Sequence, residues 1–242
     1  MNDANTIILE IRAGAGGKEA SLFAAELANM YVKYAVKQGW KAEKLDESYS
    51  DLGGYKEVVY EISGLGTYDK LKQESGVHRI QRVPVTEKSG RIHTSTASVA
   101  VLPVNTKKIT DIKPQDLEIT FSRAGGPGGQ NVNKVETAVR ILHRPTGTIV
   151  HCRSERSQQR NREKAMAVLQ AKIDENSRAQ TEGKMAEERK QQIGTQDRSE
   201  KIRTYNFLQD RITDHRVKKS WHNLEKIMEG NLEPIIKIFA TY

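Results

Sequence analysis

Four glycines in five residues, Gly125-Gly126-Pro127-Gly128-Gly129, followed by Gln130 and Asn131, interrupt the chain between two stretches that read as strands. Neither helix nor sheet accommodates such a run, because glycine weakens both by roughly 0.5–1 kcal/mol relative to alanine and proline removes a backbone donor. The flanking chain must fold as short elements that hold a loop. The loop offers bare main chain, since only glycine reaches positive φ freely and leaves room for close approach. A flexible linker would need the glycines but not the glutamine that ends them.

Spacing excludes two nucleotide-binding readings of this loop. A phosphate-cradling P-loop ends in Gly-Lys-Ser/Thr, whereas Gln130 and Asn131 follow Gly129; a dinucleotide fingerprint requires glycine where Asn131 stands. A second glycine loop, Gly14-Ala15-Gly16-Gly17-Lys18-Glu19, leads from a strand into a helix. There Glu19 puts negative charge where a phosphate would sit, which disfavours phosphate binding; a first-turn carboxylate complementing the helix dipole is the ordinary reading.

Charge gives a second constraint. The 242 residues carry a formal net charge of +8, and residues 123–164 alone hold nine basic and three acidic side chains. Concentrated basic charge around an exposed main-chain loop points to a polyanionic partner, with nucleic acid ahead of a merely solvated face. No apolar run approaches the roughly 18 residues of a membrane span, and Met1 to Thr6 does not read as a signal peptide. The expected setting is cytoplasmic, or an organelle matrix after removal of a transit peptide, with no membrane partner. The lone Cys152 permits no internal disulfide and no cysteine zinc cage, and as a thiol it reads as packed rather than catalytic. Neither metal nor cofactor is expected.

Periodicity predicts the elements. Ile7, Leu9 and Ile11 alternate as a strand; Phe23, Leu27, Met30, Tyr31 and Tyr34 recur at helical spacing. Val58 to Ile62 reads as a strand, and Val77 to Val83 with Ile92 to Leu102 as a hairpin whose tip is Pro84 to Gly90. Pro103 and Pro114 bracket a boundary. Strands follow near Leu117 to Phe121, Thr137 to His143 and Thr148 to Arg153, then a long helix from about Ser157 through Gln192, its apolar side at Met166, Val168, Leu169 and Ile173. After Gly194 to Ser199 come strands at Arg203 to Phe207 and Arg211 to Arg216 and a helix near Leu232 to Phe239. The fold class is α/β (α+β).

Arg123-Ala-Gly-Gly-Pro-Gly-Gly-Gln-Asn-Val-Asn-Lys134 and Gly76-Val-His-Arg-Ile-Gln-Arg-Val-Pro-Val-Thr-Glu-Lys-Ser-Gly-Arg-Ile-His-Thr-Ser95 together resemble the bacterial-type class I peptide-chain release factors, more closely the release factor 1 branch. Arg12 to Ala20, Gly53 to Glu57 and Asp197 to Phe207 also match. The resemblance implies a codon-recognition domain at 1–105, a hydrolysis domain with the long helix at 106–193, and a switch segment with a C-terminal unit at 194–242 packing on the first domain. It implies stop-codon reading by Gly16, Glu19, Gln81, Pro84, Val85, Thr86, His93 and Thr94. Pro84-Val85-Thr86 matches the tripeptide of factors reading UAA and UAG.

Gly128, Gly129 and Gln130 match the motif that promotes peptidyl-tRNA hydrolysis in the peptidyl-transferase centre, with Gln130 an N5-methylglutamine made by a glutamine methyltransferase. The implied partners are ribosomal RNA, the mRNA stop codon and peptidyl-tRNA, and the implied activity exists only on the ribosome, so the protein is not an enzyme by itself. Residues 194–199 match a switch whose reordering swings the hydrolysis domain outward on codon binding.

Departures are visible. Family members of usual length carry a further N-terminal helical domain before the segment matching Ile7, which puts contacts to the GTPase release factor 3 in doubt. Leu208 and Asp210 stand where the family often has proline and glycine. Two rivals predict different behaviour: a stalled-ribosome rescue hydrolase, indifferent to the codon, and a non-catalytic ribosome- or RNA-binding protein, indifferent to Gln130.

Overall fold

The computed structural model describes residues 5–51, 53–84, 90–104, 112–123 and 135–239. By its internal contacts the chain divides into two compact units, Met1–Asn105 with Met185–Tyr242, and Thr106–Lys184.

The first unit is an eight-stranded sheet with helices. Its strands are β1 (Thr6–Ala13), β2 (Lys41–Tyr49), β3 (Tyr55–Ser63), β4 (Gly76–Arg82), β5 (His93–Pro103), β9 (Lys201–Asn206), β10 (Arg211–Asp214) and β11 (Lys219–His222), in the order β11-β10-β9-β4-β5-β1-β3-β2. Among the described residues, the β4–β9 pair is the only parallel one. The C-terminal stretch thus adds three strands to the sheet that the N-terminal stretch begins.

Helix α1 (Lys18–Lys37) buries Phe23, Leu27, Met30, Tyr31 and Tyr34 against Ile7, Leu9 and Ile11 of β1 and Val99 of β5. At roughly 1.5–3 kcal/mol for each large side chain removed from water, this face holds α1 on the sheet. Short helices α2 (Thr67–Leu71), α4 (Leu224–Met228) and α5 (Glu233–Phe239) complete the unit. Asp210, in the turn the family often builds with glycine, adopts φ +44° and accepts hydrogen bonds from the main-chain N–H of Asn223 at 3.1 Å and Leu224 at 2.8 Å. The aspartate therefore serves as an acceptor for the start of α4.

The second unit is a three-stranded antiparallel sheet, β6 (Leu117–Ser122), β7 (Ala138–His143) and β8 (Thr148–Cys152), covered by α3 (Gln158–Ile193). Ala165, Leu169 and Ile173 of α3 bury against Val139, Ile141 and Val150. Val168, expected on that side, is 45% exposed; the packed stripe runs 165, 169, 173 at i+4 spacing, and Val168 lies off it. The boundary between the units falls inside α3. Near its end, Gln192 donates to the carbonyl of Val101 at 3.0 Å and accepts from its N–H at 2.8 Å, completing β5 where β4 has ended.

Candidate functional site

In the first unit, three separate segments converge at one end of the sheet. Antiparallel register places Gln81 opposite Thr94 and Arg82 opposite His93, so the reader positions named from the sequence lie at the open end of the β4–β5 pair. Pro84 follows and is buried; His93 is exposed and Thr94 half-buried. Val85 and Thr86 lie outside the described residues.

The glycine loop before α1 docks alongside. Gly14 donates its N–H to the carbonyl of Thr96 at 2.8 Å, Thr96 returns one to Ala15 at 2.9 Å, and the Thr96 hydroxyl accepts from the Ala15 N–H at 2.8 Å. That hydroxyl donates in turn to the carbonyl of Gln196 at 3.2 Å, bringing the stretch matched to the switch onto the same residue. Gly16 sits at φ +138°, and a Cβ there would lie 2.2 Å from the Ser95 hydroxyl, so both conformation and space demand glycine. The Gly17 N-cap supplies no side-chain acceptor to the first turn. No side chain at the N-cap competes for the main-chain donors of the first turn of α1.

Glu19, read as a first-turn carboxylate or a codon-reading residue, turns inward. It is 3% exposed, and its Oε1 accepts from Arg82 Nε at 2.5 Å. The Arg82 guanidinium makes a fork to both oxygens of Glu26, at 2.8 and 2.9 Å, and lies 5.1 Å from the centre of the Phe207 ring. Burial opposes the charge on Arg82, but the hydrogen-bonded carboxylates of Glu26 and Glu19 outweigh it and raise its pKa. The main chain beside it is tied as well, with Phe207 donating to the carbonyl of Gln81 at 3.1 Å.

Arg82 and Glu26 escaped the sequence analysis although the signal was present. Arg82 continues the inward alternation of His78 and Ile80, and an inward cation needs carboxylates. Glu19 and Glu26 stand seven apart, two turns along one helix face.

Deeper in the first unit lies a buried charge network. Arg203 donates to both oxygens of Glu74, at 2.5 and 2.8 Å, and to Asp214 at 3.2 Å, all three fully buried. Tyr31 donates to Glu74 at 2.9 Å. His78, also fully buried, is 2.8 Å from the Glu74 carbonyl; burial, reinforced by the nearby Arg203 charge, pushes its pKa down to about 4.

In the second unit, Gly128, Gly129 and Gln130 lie outside the described residues, and what the structure describes is the frame. Ser122 pairs with Ala138, which closes the two strands on either side of residues 123–137. On the returning side, fully buried Asn161 donates to the carbonyls of Thr137 at 2.7 Å and Glu155 at 2.9 Å, and accepts from the Glu155 N–H at 2.9 Å. Gln158 donates to the carbonyl of Glu136 at 2.8 Å. Cys152 is half-buried, its thiol 3.4 Å from Asn161 Oδ1, as a packed thiol would be. Around this frame Arg123, Arg144, Arg153, Arg156, Arg160, Arg162 and Lys164 are exposed.

Comparison with known proteins places this arrangement. Residues 1–99 match the PCRF domain and residues 105–216 the RF-1 domain. The chain is 54% identical over 240 residues to peptide chain release factor 1 of Desulfitobacterium hafniense, covering 99% of this chain and 68% of the relative. It is 56% identical over 235 residues to that of Dictyoglomus thermophilum, covering 97% and 64%. Among solved structures it resembles RF2 of Thermus thermophilus, with TM-score 0.60 and 35% identity over 98% of this chain and 68% of that one. Fold and site define a translation termination factor that acts on the ribosome. Within that class, the chain belongs to the peptide chain release factor 1 family. Among the described residues, no helix is long and apolar enough to cross a membrane.

Proposed function

We propose that this chain recognises UAA and UAG in the ribosomal decoding site and promotes hydrolysis of peptidyl-tRNA in the peptidyl-transferase centre. The observation that carries the reading half is the convergence of Gly16, Gln81, His93 and Thr94 at one end of the first unit, with residues 85–89 linking the same two strands. Single-stranded RNA is read by edge hydrogen bonds and by stacking on side chains such as histidine. In this reading Gln81 and Thr94 contact the third base, His93 stacks on an unpaired base, and Thr86, whose hydroxyl both donates and accepts, selects at the hairpin tip stiffened by Pro84 and continued by Val85. Gly16 and Glu19 hold the helix tip that meets the first base.

The hydrolysis half rests on Gly128, Gly129 and Gln130 within the matched RF-1 domain. The Gln130 N–H donates to the oxygen that becomes negative as water attacks the ester, and its side-chain amide, N5-methylated by a glutamine methyltransferase, orients the water. One such donor is worth about 2.7–4 kcal/mol of barrier. Because the substrate is positioned by the ribosome, the chain is not an enzyme alone. It works in the cytoplasm or an organelle matrix.

The deciding experiment is peptide release from ribosomes programmed with UAA, UAG, UGA or a sense codon. Release on the first two alone is expected. Equal release on all four favours the rescue hydrolase, and no release on any codon despite ribosome binding favours a non-catalytic RNA-binding protein.

A further inference from the structure

The exposed tip formed by Ala15, Gly16 and Gly17 has little side chain of its own with which to fix its position. Its hydrogen bonds to Thr96 hold one side. The other side is held from below through Glu19, whose carboxylate is buried and, at Oε2, has no hydrogen-bond partner. Its Oε1 rests on Arg82, which also grips Glu26 two turns further along α1 and faces Phe207 at the end of β9. Arg82 stands next to Gln81 on β4, two residues before Pro84. One guanidinium thus sets the separation between the helix tip and the hairpin strand.

We propose that Arg82 is the positioning residue of codon reading, fixing the tip at residues 15–17 relative to Gln81 and the hairpin so that both can engage one trinucleotide together. The assignment rests on the codon-reading function proposed above for these two segments. A planar fork is required: it engages two carboxylates and a ring face at once, which the single ammonium of lysine cannot do. Misplacement of the tip weakens contacts to the first base most, because the hairpin retains its own pairing to β5 and β9.

The test is release kinetics with Arg82→Lys, which keeps the charge, and with Glu26→Gln, which keeps the shape and removes one member of a half-exposed pair. On UAA-programmed ribosomes the half-saturating concentration should rise about tenfold for Arg82→Lys and about threefold for Glu26→Gln, with the maximal rate unchanged. The ratio of UAA to CAA release should fall further than the ratio of UAA to UGA release. Unmoved half-saturating concentrations in both variants, or a lower maximal rate with the half-saturating concentration unchanged, overturn the proposal. Wild-type protein that releases peptide equally from UAA and a sense codon sinks the codon-reading assignment itself; wild-type discrimination with unaltered variants sinks only the role of Arg82.

Discussion

The two units brace the segments that flank their proposed functional loops by different electrostatic means. The first buries some of its ion pairs, with Arg203, Glu74 and Asp214 in its interior and Glu19 beneath Arg82 at the end of β4, alongside exposed pairs such as Lys41 with Glu43. The second, among its described residues, buries only His143 and Asn161 as polar side chains and leaves its ion pairs, Arg144 with Glu118 and Lys164 with Glu155, at the surface. Its loop frame is tied by the neutral amides of Asn161 and Gln158.

The difference teaches where each unit can spare its cations. The second unit keeps its excess of arginines outside and braces its loop frame with side chains that carry no charge. The first unit holds the start of α1 and the end of β4 together through the forked, directional contacts of Arg82.

This contrast can be broken by substitution. Arg203→Ala leaves the buried Glu74 carboxylate without a cation, while Asp214 keeps Arg216 at 2.7 Å, and should lower the stability of the first unit by about 3–5 kcal/mol, read from urea unfolding; a loss below 1 kcal/mol would make the network incidental. Acidification should act on the same unit. Since the folded-state pKa of His78 is depressed to about 4 from 6.5, its contribution is complete above pH 6.5 and is lost as pH falls toward 4, a change of up to about 3 kcal/mol. Hydrogen exchange should show this loss in β4 and β9 and not in β7; replacing His78 by a non-titrating residue should flatten the profile.

In the second unit, Asn161→Ala strands the Thr137 carbonyl and both Glu155 main-chain groups, at a cost of about 1–3 kcal/mol that should not vary with salt. Gln158→Ala exposes only one carbonyl to water and should cost about 0.5–1.5 kcal/mol. A strong salt dependence in either would contradict the neutral bracing.

Much of this fold was legible in the sequence because it was periodic. Ile7, Leu9 and Ile11 alternate as a strand facing the core must, and the α1 apolar stripe is the one the structure buries. What escaped lacked such a pattern. Strand β2, Lys41–Tyr49, is almost entirely exposed at the sheet edge, so its residues show no alternation; β11 is four residues long with none fully buried. Short α2 and α4 span barely more than a turn each. Val168 misled because it lies about 100° around the helix from Leu169, on the side away from Met166, and so falls outside the packed face of residues 165, 166, 169 and 173.

For the candidate site, the resemblance proposes the reader positions, and the strand register sets Gln81 against Thr94. The supporting groups, Arg82, Glu26 and Asn161, could not be picked out with equal ease. For Arg82 and Glu26 the trace was indirect, an inward alternation on β4 and two carboxylates seven apart on α1, because the partners lie 56 to 63 positions away; Asn161 reaches Thr137, 24 positions away.

The central claim is that reading and hydrolysis reside on separately braced units and can be damaged independently. Release kinetics on UAA-programmed ribosomes test it most directly, comparing Thr86→Ala with Gly129→Ala for half-saturating concentration and maximal rate. The account predicts that Thr86→Ala raises the first and spares the second, while Gly129→Ala lowers the second by a hundredfold or more, on the order of one lost oxyanion donor, and spares the first. Both variants moving both quantities together would contradict it.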